Sequence, residues 1–132
     1  MRVLVEAVET RADENMEVAW SCGVGEGRAV WADGMLPVAG AEYDVEIDVT
    51  AEVGSADVVE GSVVGVAVED DGCVCIAAVV DTLFADDVAV LRLAPDATVM
   101  VDVAEDADGV AVGAHVVLRL QADQVRLTPF SI

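Results

Sequence analysis

Residues 42–53 read EYDVEIDVTAEV, and this stretch decides the fold class. Its apolar residues occupy the odd positions, and its polar residues occupy the even positions. Because successive side chains of a β-strand point to opposite faces, this alternation predicts a strand with one buried and one solvent-facing side. The solvent-facing side is predicted to be acidic, and we single it out as a candidate interaction face formed by Glu42, Asp44, Glu46, Asp48 and Glu52.

Similar alternation recurs along most of the chain, whereas an amphipathic helical pattern is absent. Short turns such as EDDG (69–72) and APDA (94–97) favour hairpins between neighbouring strands. Apolar runs such as VVGVAV and CIAAVV are typical of strands inside a closed or covered sheet. The sequence therefore predicts an all-β fold, either an antiparallel barrel or a compact sandwich. The predicted strands are 2–9, 16–22, 42–53, 62–69, 73–80, 88–93, 98–103, 112–120 and 125–129, and the short piece 28–32 is compatible with a tenth strand.

The segments between these strands are predicted to be loops or single turns. Residues 33–40 and 81–87 fall in this group, as does the polar stretch AEDADG (104–109). The pattern over 53–61 is the least regular, and it is compatible with one helical turn.

Residues 110–130, VAVGAHVVLRLQADQVRLTPF, resemble the closing hairpin of an OB-fold-type barrel. The resemblance implies one domain over 1–132, with a small barrel over 42–130 preceded by an extra hairpin and loop over 1–40. An OB-fold's oligonucleotide face needs basic and aromatic residues. This chain has five aromatic residues and a formal charge of −20, so that function does not follow from the resemblance.

Charge excludes whole classes of partner. The chain has no lysine, and its six arginines face 26 carboxylates. Nucleic acids and anionic membrane surfaces both require a cationic protein surface, so neither is an expected partner. Two explanations of the acidity stay open. One is a compositional bias of the whole proteome, and the other is recruitment of a cationic partner protein.

The arginines suggest an internal use for the acidic face. If the last turn pairs Leu120 with Val125, then Arg119 lies directly opposite Arg126 on the same side of a hairpin. Like charges placed directly opposite each other destabilise a strand pair. We therefore expect the carboxylates of 42–52 to lie beside an arginine ladder on a neighbouring strand, formed by Arg92, Arg119 and Arg126.

No motif indicates catalysis. Cys73 and Cys75 share one strand face, and with Cys22 and His115 they could supply four zinc ligands, but C-x-C departs from the usual C-x2–4-C spacing. We predict buried free thiols instead. AEDADG (104–109) fails the calcium-loop pattern, and neither GVGEGR nor EGSVVG matches a nucleotide-binding or nucleophile motif. No catalytic residue, cofactor or metal is predicted.

The start of the chain, MRVLVEAVET, lacks the apolar core of a signal peptide, and three cysteines suit reduced thiols. A cytoplasmic location is expected. The expected function is a non-catalytic accessory or protein-interaction module. Two alternatives stay open, an inhibitor or immunity-type protein that captures a cationic partner and a barrel that binds a small ligand. The apolar C-terminus, LTPFSI, and Trp31 in a predicted loop region also suggest a homodimer.

Overall fold

Strands account for nearly all the regular structure in the computed structural model, which describes residues 1–32, 34–61 and 63–130. Helical structure in these ranges is limited to two 3₁₀ turns, Ser55–Asp57 and Ala122–Gln124. None of the described residues forms a helix long and apolar enough to cross a membrane. The all-β prediction is confirmed. The strands are β1 (Arg2–Thr10), β2 (Met16–Cys22), β3 (Gly25–Trp31), β4 (Glu42–Val53), β5 (Val58–Val59), β6 (Gly65–Val68), β7 (Val74–Phe84), β8 (Val88–Ala94), β9 (Ala97–Val103), β10 (His115–Leu120) and β11 (Val125–Pro129).

Eight strands close into a barrel in the order β1-β2-β3-β6-β7-β8-β9-β4 and back to β1. The predicted N-terminal hairpin is present as β1 and β2, and it belongs to the barrel wall because β1 pairs with the start of β4. The three further strands are β5, β10 and β11. Most pairings are antiparallel, as predicted. The parallel pairings join β3 to β6, β3 to β11 and β4 to β9.

The last two strands do not form the predicted hairpin. β10 pairs with β7, placing Arg119 beside Cys75, while β11 pairs with β4, placing Arg126 beside Asp48. The expected Arg119–Arg126 opposition is therefore wrong, because the 3₁₀ turn Ala122–Gln124 carries the chain from one part of the sheet to another. The resemblance to an OB-fold rested on this hairpin, and what the structure supports is a small closed barrel.

Some strand bounds differ from the predicted ones. β7 runs to Phe84, so most of the predicted loop 81–87 is strand, and a register shift between Val80 and Thr82 accommodates the polar residues. β3 starts at Gly25 rather than at 28. The predicted strand 62–69 is observed as Gly65–Val68, and Ser62 lies outside the described residues.

The barrel interior is filled by apolar side chains. β4 contributes Val45, Ile47, Val49 and Val53, as its alternation predicted. An eight-stranded barrel is just wide enough for side chains to fill it. The largest side chains with almost no exposure are Trp20, Ile76, Leu91, Leu93 and Leu127.

One glycine is required by this packing. A Cβ added at Gly27 would lie 2.6 Å from a ring carbon of Trp20, whose side chain is fully buried. The absence of a side chain at this position is what lets the indole pack closely against β3.

Trp31 lies in β3 and is buried. This confirms the interpretation of 28–32 as strand, whereas the interpretation of Trp31 as part of a loop-like region with surface to cover is wrong. Its ring meets the ring of Tyr43 edge-on at a centroid separation of 5.0 Å. Its indole N–H donates a hydrogen bond to the Met35 carbonyl at 2.9 Å. Trp31 therefore fixes the following loop to the barrel and contributes no exposed surface to a dimer.

Candidate functional site

The five carboxylates singled out in the sequence lie on the outer side of β4. Glu42, Asp44, Glu46 and Glu52 are exposed, and Asp48 is half-buried. We call these five residues the β4 face. The alternation places their carboxylates outside the barrel because the intervening valines and isoleucine fill the interior.

Arg2 neutralises one end of the β4 face. Its guanidinium lies 3.6 Å from a carboxylate oxygen of Glu42 and 3.4 Å from one of Asp44. The pairing between β1 and β4 brings it there, since Arg2 lies opposite Asp44 in register. All three side chains are more than half exposed, so these ion pairs contribute at most about 1 kcal/mol each.

The rest of the face has no such partner. Among the described residues, no Arg nitrogen lies within 4.0 Å of a carboxylate oxygen of Glu46, Asp48 or Glu52. Glu52 instead pairs in register with Asp102 of β9, which is also exposed and without an ion pair in the described part of the chain. Like charges on neighbouring strands repel. We call Glu46, Asp48, Glu52 and Asp102 the unpaired carboxylates.

The predicted arginine ladder is wrong for two of its three members. Arg92 pairs with Asp81 at 3.0 Å, and Arg119 pairs with Glu69 at 2.8 Å and Asp71 at 2.9 Å, all away from β4. Arg126 lies beside Asp48 in register, but among the described residues its guanidinium makes no ion pair. The β4 face is therefore neutralised at one end only.

A shallow groove opens beside the unpaired carboxylates. The β4–β9 register shifts between Asp48 and Glu52, so β4 bulges away from its neighbour there. The side-chain amide of Gln124 donates to the Thr50 carbonyl in the bulge at 3.1 Å. The groove has a volume of about 190 Å³ and is lined by Asp48, Val49, Val88, Met100, Val101 and Asp102. We call it the β4–β9 groove.

A second polar cavity, of about 280 Å³, was not predicted from the sequence. Glu17 bridges two guanidiniums there, at 2.6 Å from Arg11 and 2.5 Å from Arg28. Arg28 also meets Glu9, and Arg11 also meets Asp123. Each guanidinium is thus already neutralised by carboxylates, so the cluster ties the β1–β2 hairpin to β3 and to the last turn. The available signal was the opposite charge of Arg11 and Glu17, which lie near the two ends of the connection between β1 and β2.

The thiols are free, as predicted, but half-buried rather than buried. Burial raises the pKa of the Cys75 thiol, and burial together with the neighbouring Asp71 raises that of Cys73. A raised pKa lowers the thiolate fraction and hence the reactivity at neutral pH.

The structure does not assemble the four potential zinc ligands. His115 lies beside Val79 and Val59, whereas Cys75 lies beside Arg119. The part of the chain that the structure describes contains no cluster of three or more His, Cys, Asp or Glu side chains suited to a metal ion, and this includes the AEDADG loop.

Comparisons with known proteins give no family. No protein-family model, curated protein or solved structure matches this chain. The function is therefore argued from the geometry of the β4 face and its surroundings.

Proposed function

We propose that this protein is a non-catalytic binding module whose β4 face captures a cationic segment of a partner protein. The observation that carries the proposal is the set of unpaired carboxylates, Glu46, Asp48, Glu52 and Asp102, which lie together on one outer surface. Their mutual repulsion is relieved when lysine or arginine side chains of a partner approach.

The charge of the whole chain supports the same kind of partner. With a formal charge of −20, the protein attracts cationic molecules over distances limited by the Debye length, about 8 Å at physiological salt. Complementary charge chiefly accelerates association and suppresses wrong partners. An inhibitor or immunity-type protein directed at a cationic enzyme is one specific form of this function.

A small-ligand barrel is less well supported. Side chains such as Trp20, Leu91 and Leu127 occupy the described interior. Pockets that hold small ligands usually have volumes of about 300–1,000 Å³. The described grooves that border β4 lie on the outside of the barrel wall.

A homodimer remains a prediction, and its surface would be distinct from the β4 face because two acidic faces repel. Exposed Met35, Leu36, Val38 and Phe130 follow β3 and β11 and supply apolar surface. Ser131 and Ile132, the end of the apolar C-terminus, lie outside the described residues. Light scattering at micromolar concentration that gives a monomer mass would contradict the dimer.

Binding of a fluorescent arginine-rich peptide, measured by anisotropy at 0.05 and 0.3 M KCl, tests the proposed function. The test variant is the triple substitution Glu46→Gln, Asp48→Asn and Glu52→Gln. The matched control removes three exposed carboxylates elsewhere that make no ion pair among the described residues, by Glu26→Gln, Glu60→Gln and Glu105→Gln.

Both variants lose three of the 26 carboxylates, so a difference between them reports position rather than net charge. We expect the β4 triple variant to bind at least fivefold more weakly than the control variant, with a smaller salt dependence. Equal weakening in the two variants would mean that the peptide senses net charge alone, and the proposed function would fail.

A further inference from the structure

The surface beside the β4 face carries exposed apolar side chains. On the outer side of β8 and β9, Met100 lies opposite Val90 on one flank and Asp48 on the other. Met100 is 47% exposed and Phe84, which lies opposite Val88, is 50% exposed. An exposed apolar surface with a polar rim is typical of an interaction site.

Carboxylates border these apolar side chains. Asp48 and Glu52 lie on β4, Asp102 lies on β9 opposite Val88, and Asp86 and Asp87 lie in the turn between β7 and β8. The turn is held in place, since the Asp87 carbonyl accepts a hydrogen bond from the Val103 amide at 2.8 Å.

Two arginines flank the same outer surface. Arg92 follows Val90 on β8, and its guanidinium is neutralised by Asp81 at 3.0 Å. Arg126 lies on the far side of Asp48, on β11. Among the described residues, none of the carboxylates nearest the apolar side chains makes an ion pair with either arginine.

The β4–β9 groove forms a depression of defined size on this surface. Its floor is Val49 and Val101, which are 9% and 2% exposed, and its walls include Val88 and Met100. At about 190 Å³ it is too small for a typical ligand pocket, and it suits one apolar side chain. Asp48 and Asp102 stand at its border, on neighbouring strands.

We infer that the β4–β9 groove receives one apolar anchor side chain of the partner, flanked within two positions by lysine or arginine. This inference rests on the proposed function and specifies the partner's sequence. Alternate residues of an extended segment are spaced by about 6.6–6.8 Å, the same spacing that separates Met100 from Asp102 along β9. An anchor in the groove therefore brings basic neighbours to Asp48 and Asp102.

Charge selects this occupant over two others. A second copy of this chain brings 26 carboxylates against six arginines, so it repels the rim of the groove. A membrane surface rich in anionic lipid is repelled for the same reason. A basic protein segment with an apolar residue among its cations matches both the groove and its border.

Two labelled peptides of equal charge test the inference, RRLRR with a leucine anchor and RRSRR with serine in its place. We expect the leucine peptide to bind the protein about five- to twentyfold more tightly, a fraction of the gain from fully burying a leucine. The double substitution Val88→Thr and Met100→Thr should reduce this ratio to about one without changing the affinity for RRSRR. Leu36→Thr, which removes an exposed apolar side chain elsewhere, should leave the ratio unchanged.

A second readout uses the unmodified protein. Of the four methionines, Met100 should show the largest methyl chemical-shift change on addition of RRLRR, and a much smaller change with RRSRR. If both peptides bind with equal affinity and the β4 triple substitution still weakens their binding, the inferred apolar anchor is wrong and the proposed function stands. If the β4 triple and its control bind both peptides equally well, the proposed function falls and the anchor falls with it.

Discussion

Removing charge from the middle of the β4 face should stabilise the fold. The perturbation is the double substitution Glu46→Thr and Asp48→Thr, which keeps a strand-compatible polar surface. Neither carboxylate makes an ion pair in the described residues, and each has another carboxylate two positions away on the same face. The substitution therefore removes repulsion and little attraction.

The magnitude follows from strand geometry. Residues two apart on a strand are separated by about 6.8 Å, where two unit charges in water repel by about 0.6 kcal/mol. Screening at 0.1 M salt, with a Debye length of about 10 Å, roughly halves this value. The Asp44–Glu46 and Glu46–Asp48 repulsions and weaker ones to Glu52 are lost together. Adding the better strand propensity of threonine, we expect a gain of about 0.5–1.5 kcal/mol.

Urea denaturation followed by circular dichroism, at pH 7 in 0.05 and 1 M KCl, measures this gain. The electrostatic part should disappear at 1 M, where the Debye length is about 3 Å. Glu26→Thr, at an exposed position of β3 without an ion pair in the described chain, reports the propensity contribution together with the loss of one carboxylate from the overall charge. A loss above about 0.5 kcal/mol that vanishes at high salt would show that Arg2 and Arg126 bind the face strongly, and the reasoning would be wrong.

Three further predictions concern stability. The free energy of unfolding should rise from pH 7 to 5 because repulsion among the carboxylates of the folded protein weakens. It should then fall below about pH 4. Backbone hydrogen bonds lower the pKa values of Asp13 and Asp71 from 3.8, and protonation of these two carboxylates removes that stabilisation. A fall between pH 7 and 5 would contradict this. Glu17→Gln should lower the free energy of unfolding, measured by urea denaturation, by about 2–3 kcal/mol, because it leaves the half-buried guanidiniums of Arg11 and Arg28 underpaired. A change below about 0.5 kcal/mol would refute the structural role of this cluster. Gly27→Ala should lower stability by about 1–3 kcal/mol by displacing the indole beneath it, whereas Gly23→Ala, with open space around it, should be nearly neutral in the same assay.

Local patterns predicted much of the fold. The alternation of residues 42–53 identifies both the existence of β4 and its buried side, because side-chain direction in a strand depends only on parity. The last two strands were also located, although β10 begins at His115 rather than at 112. Their partners were not, because pairing β10 with β7 and β11 with β4 depends on contacts far apart in the sequence.

The candidate site likewise has a part that the sequence predicts and a part that depends on strand pairing. The carboxylates of the β4 face are visible in the sequence, whereas the partners of Arg92 and Arg119 depend on register. The β4–β9 groove depends on a bulge in a parallel pairing, and Met100, which lines it, belongs to a strand that shows no special motif.

The distribution of the arginines bears on why the face is acidic. Five of the six, Arg2, Arg11, Arg28, Arg92 and Arg119, form ion pairs with nearby carboxylates. A compositional bias accounts for the number of carboxylates, but it has no preference for where the unpaired ones lie. Four of the described carboxylates without an ion pair border the β4–β9 groove or continue its edge along β4, next to exposed Met100, while others, such as Glu26, Glu60 and Glu105, lie elsewhere on the surface. If removing these charges stabilises the fold as predicted, the charges are retained at a cost to stability. Stability is commonly given up where a surface serves function. If the Glu46→Thr and Asp48→Thr protein is more stable and also binds the cationic peptides less well, the two measurements together will assign the charge to binding rather than to bias.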